Sequence, residues 1–104
     1  MSCDYDFVTA ETAGKLVMSS SAYQYKAYKK QFYKEICEEA AKGQVATILV
    51  VNEDITSKAR EQLTKLLTSA GFDCSDWSFE QGDDDSCWYS IHVSWEHKVY
   101  YPED

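Results

Sequence analysis

The sequence predicts one α+β domain over residues 1–104, in which two N-terminal helices precede a split β-α-β unit with a C-terminal hairpin. The length of 104 residues is typical of a single domain, and a hydrophobic share of 44% supplies enough apolar surface for one core. Apolar residues recur at helical spacing in three segments, and three others are rich in β-branched or aromatic residues. Their order along the chain predicts a three-stranded sheet with helices on one face.

The first two helices are predicted over residues 7–20 and 22–42. One side of the first helix collects its apolar and small residues: Phe7, Ala10, Gly14, Val17 and Met18. Asp6 or Thr9 is placed to cap its start. The second helix carries a stronger apolar stripe: Tyr25, Tyr28, Phe32, Ile36 and Ala40. Gly43 then stands where a left-handed residue usually ends a helix.

Residues 45–51 form a continuous apolar and β-branched run, which is typical of a strand covered on both faces. A turn follows, in which Asp54 is placed to cap the next helix. Residues 55–70 gather their apolar side chains within about one-third of the helical circle. Gly71 and Phe72 fit a Schellman end to this helix.

Two strands, over residues 74–80 and 87–95, are predicted to pair as a hairpin. The last strand is the longest and alternates cleanly between two faces. One face carries Cys87, Tyr89, Ile91, Val93 and Trp95. The other carries Trp88, Ser90, His92 and Ser94. We expect this strand in the middle of the sheet, antiparallel to both neighbours, with its first face under the helices and its second face open.

The net charge of −8 is concentrated in the last third of the chain, where residues 71–104 hold nine acidic residues and one basic residue. Such a field repels nucleic-acid phosphate and anionic lipid and attracts basic protein surfaces. No apolar run approaches the ~18 residues of a membrane span. No signal peptide is visible and the four cysteines are widely spaced, so a cytoplasmic protein with reduced thiols is expected.

No constellation of reactive residues stands out in the sequence. Glycine-rich phosphate loops are lacking, and the three aspartates at 83–85 match no calcium loop. His92 and His97 lie five residues apart, so on a straight strand they point to opposite faces. We therefore expect no catalytic residues, no metal and no cofactor.

One cluster departs from the acidic average. Between Glu11 and Glu35 every charged residue is a lysine, and tyrosines are interleaved with them. Lys26 and Lys30 share a flank with Tyr23, and such a group can stack a base and neutralise phosphate. An amphipathic helix with a basic outer edge explains the same pattern.

Several features follow one another over about residues 23–95: a helix ending in Ala-Ala-Lys-Gly, a short strand, a helix closed by Gly71-Phe72, an acidic loop and a final Ile91-His92-Val93-Ser94-Trp95 strand. In this pattern the chain resembles small proteins encoded by tailed bacteriophages. Some of those proteins are found in virions and others are thought to act on the host. The resemblance implies a location in the host cytoplasm or in the virion.

Our leading expectation is a non-catalytic interaction protein that binds a protein partner with a basic surface. It would act as an inhibitor of a host or defence protein, or as a virion assembly component. The candidate binding residues are Trp88, His92, Asp83, Asp84 and Asp85.

Two alternatives belong to other functional classes. The first is a protein that sequesters a nucleotide or cyclic nucleotide, either at Tyr23, Lys26 and Lys30 or on the face that carries Trp88 and His92. The second is a small metal-dependent hydrolase using His92 and His97. A homodimer is a further option, because a small open sheet with an exposed tryptophan favours pairing.

Overall fold

The computed structural model describes residues 8–102, which form three helices, four strands and a short 3₁₀ turn. In chain order, the elements are α1 (Ala10–Met18), α2 (Ser21–Ala41), β1 (Ala46–Asn52), α3 (Ser57–Ser69), β2 (Asp73–Cys74), β3 (Ser78–Gln81), β4 (Cys87–Ser94) and the 3₁₀ turn (Glu96–Lys98). The α+β class is confirmed, and so is the split β-α-β unit. Within residues 8–102, no helix is long and apolar enough to cross a lipid bilayer.

Each α-helix begins at a hydroxyl side chain that accepts a backbone N–H from its first turn. Thr9 caps α1, as one of the two predicted alternatives, while Asp6 lies outside the described residues. Ser20 caps α2, which separates the first two helices at the serine run. Thr56 caps α3 by accepting the N–H of Ala59, so the prediction that Asp54 would cap this helix was wrong.

Two glycines end helices as predicted. Gly43 and Gly71 have φ angles of 89° and 99°, in the left-handed region that glycine reaches without a steric penalty. Beyond α3, the N–H of Gly71 donates to the carbonyl of Thr68, and the N–H of Phe72 donates to the carbonyl of Leu67. This is the Schellman arrangement, and it turns Phe72 back towards the helix.

The sheet has β4 at its centre, with β1 on one side and both β2 and β3 on the other. All three pairings are antiparallel. The longest strand therefore lies in the middle, as its alternation predicted. Ile91 and Val93 are buried under the helices, while His92 is exposed on the opposite face.

The strand predicted over residues 74–80 is broken into two pieces. Cys74 pairs with Val93 and Ser78 pairs with Ser90, so one extra residue is inserted between the two pieces. This insertion is a β-bulge, which breaks the ladder locally. The Trp77 indole N–H reaches the hydroxyl of Thr64 on α3, at 2.9 Å.

The core lies between one face of the sheet and helices α2 and α3. Its buried hydrophobic side chains are Phe32, Leu49, Val51, Ile55, Ala59, Leu63, Leu67, Ile91 and Val93. The stripe of α2 contributes Phe32 fully and Tyr25, Tyr28 and Ile36 in part, while Ala40 is exposed. The apolar stripe of α3 is largely buried, as its spacing predicted.

Two predictions about coverage were wrong. The continuous apolar run of β1 was expected to be covered on both faces, but Ile48 is 61% exposed and Val50 is 44% exposed. Helices α2 and α3 lie on the other face, where Leu49 and Val51 are buried. The stripe of α1 is also uncovered, since this helix contains no buried residue. The Phe7 of that stripe lies outside the described residues.

Candidate functional site

A groove of about 640 Å³ runs between α2 and α3, within the size range of ligand and peptide sites. Its lining residues come from both helices and from the turn after α3: Lys26, Lys29, Lys30, Phe32, Tyr33, Ile36, Cys37, Leu66, Leu67, Ala70 and Phe72. On α2, the lining combines Phe32 and Ile36 of the apolar stripe with Tyr33 and Cys37 beside it. Phe72, turned back by the Schellman motif, lines the groove as well.

The groove has an apolar floor and a cationic rim. The floor consists of aromatic and aliphatic side chains, and apart from the Tyr33 hydroxyl and the Cys37 thiol these offer no hydrogen-bonding groups. The rim carries three lysines of α2, Lys26, Lys29 and Lys30, and no acidic residue among residues 8–102 lines the groove. The Lys29 ammonium lies 5.8 Å from the centre of the Tyr25 ring, within cation–π range. These lysines would attract negatively charged groups of a ligand to the rim of the apolar groove.

The structure places the predicted lysine cluster in this groove, but without its tyrosine. Lys26 and Lys30 both line it, whereas Tyr23 is exposed outside it. The sequence pattern missed the floor, because Leu66 and Phe72 have the composition and spacing of core residues. The sequence feature that could have revealed them is the width of the apolar stripe on α3, which is broader than the part of the helix that one sheet face can cover.

The open face of the sheet holds two of the other predicted residues. Trp88 and His92 point to the same side of β4, about 13 Å apart by strand geometry. His92 is exposed, and its main-chain N–H donates to the hydroxyl of Ser75. Trp88 is half-buried, because one side of its ring packs against Gly82 of the hairpin loop. The approach is so close that a Cβ atom at position 82 would lie 3.2 Å from the ring.

The three aspartates of the β3–β4 loop play different parts. Asp84 accepts hydrogen bonds from the hydroxyl and N–H of Ser86, at 2.6 and 3.3 Å, and these bonds lower the pKa of its carboxyl group. Asp85 holds a left-handed φ of 66°, a conformation that Asp tolerates better than most residues. Asp84 therefore shapes the loop, while the side chains of Asp83 and Asp85 are exposed and available to a partner.

The histidines are not brought together. His97 ties the last turn to the end of α3, with Nε2 2.8 Å from the Gly71 carbonyl and Nδ1 3.3 Å from the Asp73 carboxylate. His92 lies on the open sheet face. In the part of the chain that the structure describes, no three His, Cys, Asp or Glu side chains are grouped to hold a metal ion.

The described cysteines are Cys37, Cys74 and Cys87, and none is paired in a disulfide. Burial, and to a smaller extent the charge of Asp73, raises the pKa of the Cys74 thiol. Cys74 is therefore a protonated thiol at neutral pH, which makes it a poor nucleophile. Cys37 is exposed at the edge of the groove.

Comparisons of the whole chain with protein-family models, with curated proteins and with solved structures find no match.

Proposed function

We propose that this protein is a non-catalytic binding protein that holds an amphipathic helix of a protein partner in the groove between α2 and α3. The observation that carries the proposal is the apolar floor of that groove beneath three lysines. The partner helix would present apolar side chains to the floor and Asp or Glu side chains to the rim. Such an activity suits an inhibitor of a host protein or a virion component, which the resemblance to small phage proteins implies.

Two physical arguments favour a helix as the occupant. A trough between two helices accepts apolar side chains spaced at i, i+3, i+4 and i+7, which is how helices bind in grooves. A nucleotide fits less well, because its base carries donors and acceptors that the aliphatic floor around Leu66 and Leu67 would leave unpaired. Tyr23, the stacking partner that the sequence predicted, does not line the groove, so stacking of a base would depend on Tyr33 or Phe72 instead.

Selection of random helical peptides against the full chain tests the proposal. We expect the enriched peptides to share apolar residues at helical spacing with an acidic flank. Charge reversal by Lys30→Glu should weaken their binding by about 1–2 kcal/mol, a factor of about 5–30 in Kd, because an attraction becomes a repulsion. Fluorescence anisotropy of a labelled peptide measures this change.

The matched control is Lys34→Glu, on an exposed lysine of α2 that does not line the groove. It changes the net charge by the same amount and should leave Kd nearly unchanged. Equal losses in the two variants would mean that the overall charge attracts the peptide, and selected peptides without a helical apolar pattern would contradict the groove as their site.

The acidic hairpin loop supports a second candidate, a protein partner with a basic surface that meets Asp83 and Asp85 near Trp88 and His92. Removing both loop charges by Asp83→Asn and Asp85→Asn should slow association with such a partner and flatten its salt dependence. Asparagine tolerates the left-handed conformation at position 85, so the loop should keep its shape.

Stopped-flow association with a basic polypeptide such as polylysine measures this effect across a salt series. A control variant, Asp76→Asn, removes one exposed carboxylate from the bulge between β2 and β3 and should have a smaller effect. Association that keeps its rate and its salt dependence in the double variant would exclude the loop from the interface.

A further inference from the structure

The two edges of the sheet differ in a way that bears on self-association. The edge formed by β2 and β3 is interrupted by the bulge at residues 75–77 and carries Asp73, Asp76 and Glu80. Charges and bulges are the usual protection of a sheet edge against pairing. The opposite edge is β1, whose sequence Ala46–Asn52 contains no charged residue, proline or glycine. Within the described part of the chain, this second edge is the one that lacks such protection.

The backbone groups that β1 directs outward can be assigned from its pairing. The N–H of Trp95 donates to the carbonyl of Val45, one residue before β1. In an antiparallel ladder this means that the odd-numbered residues of β1 direct their backbone N–H and C=O groups towards β4. The even-numbered residues then direct their N–H and C=O groups away from the sheet. At Asn52 the outward N–H is already used, because it donates to the Tyr28 hydroxyl at 2.9 Å.

Three residues, Ala46, Ile48 and Val50, remain with outward backbone groups that no hydrogen bond within residues 8–102 satisfies. From this pattern, we propose that two copies of the chain pair antiparallel through β1, with Ile48 opposite Ile48 of the second copy. Ala46 of each copy then lies opposite Val50 of the other. This register pairs all three outward residues and leaves the Asn52 N–H with Tyr28.

The exposed side chains support the same pairing. Ile48 and Val50 lie beside the unprotected edge on the open face of the sheet, and pairing brings those of both copies into one apolar strip. The acidic edges formed by β2 and β3 end up at the two far rims of the joined sheet, where their repulsion is weakest. Because those rims are protected, the assembly closes as a symmetric dimer and does not extend into a fibre.

Size-exclusion chromatography with light scattering, which measures the molar mass of the eluting protein, tests the proposal on the whole chain. The wild-type chain should elute as a dimer that dissociates on dilution. The variant Ile48→Lys places two ammonium groups opposite each other at the symmetry axis and should be monomeric. His92 pairs with Ile48 across β1 and β4 and is also exposed on the open face, so His92→Lys is the matched control and should stay dimeric.

A monomeric wild-type chain at its highest attainable concentration, or equal behaviour of the two lysine variants, would overturn the proposal. Engineered cysteines test the register even if the lysine variant folds poorly. Residues in a hydrogen-bonded antiparallel pair have Cα atoms about 5.5 Å apart, within disulfide range. Oxidised Ile48→Cys should form more covalent dimer than the parent chain, and Val50→Cys should not, because its neighbour is Ala46. The reverse ranking would overturn the register.

Discussion

The variant Leu63→Ala is expected to lose about 3–5 kcal/mol of its free energy of unfolding, a large share of the 5–15 kcal/mol typical of a small domain. Leu63 is fully buried on α3, at the middle of the core between the helices and the sheet. Truncation removes apolar surface and leaves a cavity that close-packed neighbours fill only in part. Leu49 and Ile91 of the same core are paired across β1 and β4, so they cannot move inward without disturbing that pairing.

Urea unfolding followed by circular dichroism measures this loss. The control is Leu16→Ala on α1, where the same truncation affects a leucine that is 63% exposed, and its cost should be within about 0.5 kcal/mol of zero. Similar costs at both positions would mean that α1 packs against the core in solution and that Leu63 is less central than its burial indicates.

The sheet order is the part of the fold that the sequence predicts best. The alternation in residues 87–95 determines which side chains can be buried together, and its length makes this strand the natural centre. Ile91 and Val93 on one side and His92 on the other follow directly from that pattern. Helix ends were equally readable, because a positive φ at Gly43 and Gly71 is a local requirement.

Which faces of the helices and strands are buried was not predictable from the sequence, because it depends on how many other helices and strands pack against them. β1 looks like a strand buried on both faces, yet only one layer of helices exists, so Ile48 and Val50 stay exposed. The bulge near Trp77 coincides with a tertiary hydrogen bond to Thr64, and no pattern within the strand itself reveals that bond. Local periodicity reports which residues could be buried, and the tertiary arrangement decides which are.

The candidate site shows the same division. The lysines of α2 stood out because they interrupt an acidic composition, and two of the three predicted residues, Lys26 and Lys30, do line the groove. Its floor was missed, since the half-buried Leu66 and the buried Leu67 belong to one apolar stripe and have the same sequence signature. Recognising the groove requires knowing where α3 crosses α2, which no short-range pattern contains.

Gln24 joins α2 to the start of α3, although the apolar stripe of α2 did not include it. Gln24 is only 5% exposed, and it is the one buried polar residue in the described part of the chain. Its side-chain carbonyl accepts the N–H of Thr56 at 2.9 Å, and its side-chain amide donates to the carbonyl of Asp54 at 3.1 Å. Thr56 in turn caps α3. Gln24 thus satisfies main-chain groups of the loop that positions this helix.

We therefore expect Gln24→Ala to lower the free energy of unfolding by about 1–3 kcal/mol, because a partly buried N–H and C=O lose their partners together. Gln24→Leu should cost a similar amount, since restoring side-chain volume does not restore those hydrogen bonds. Gln31→Ala, at an exposed glutamine of the same helix, is the matched control and should be nearly neutral. Hydrogen exchange adds a local test: the Thr56 N–H should lose protection in the Gln24 variants only. If Gln24→Leu proved as stable as the parent chain, burial of the side chain and not its hydrogen bonding would be what holds α2 to the loop before α3.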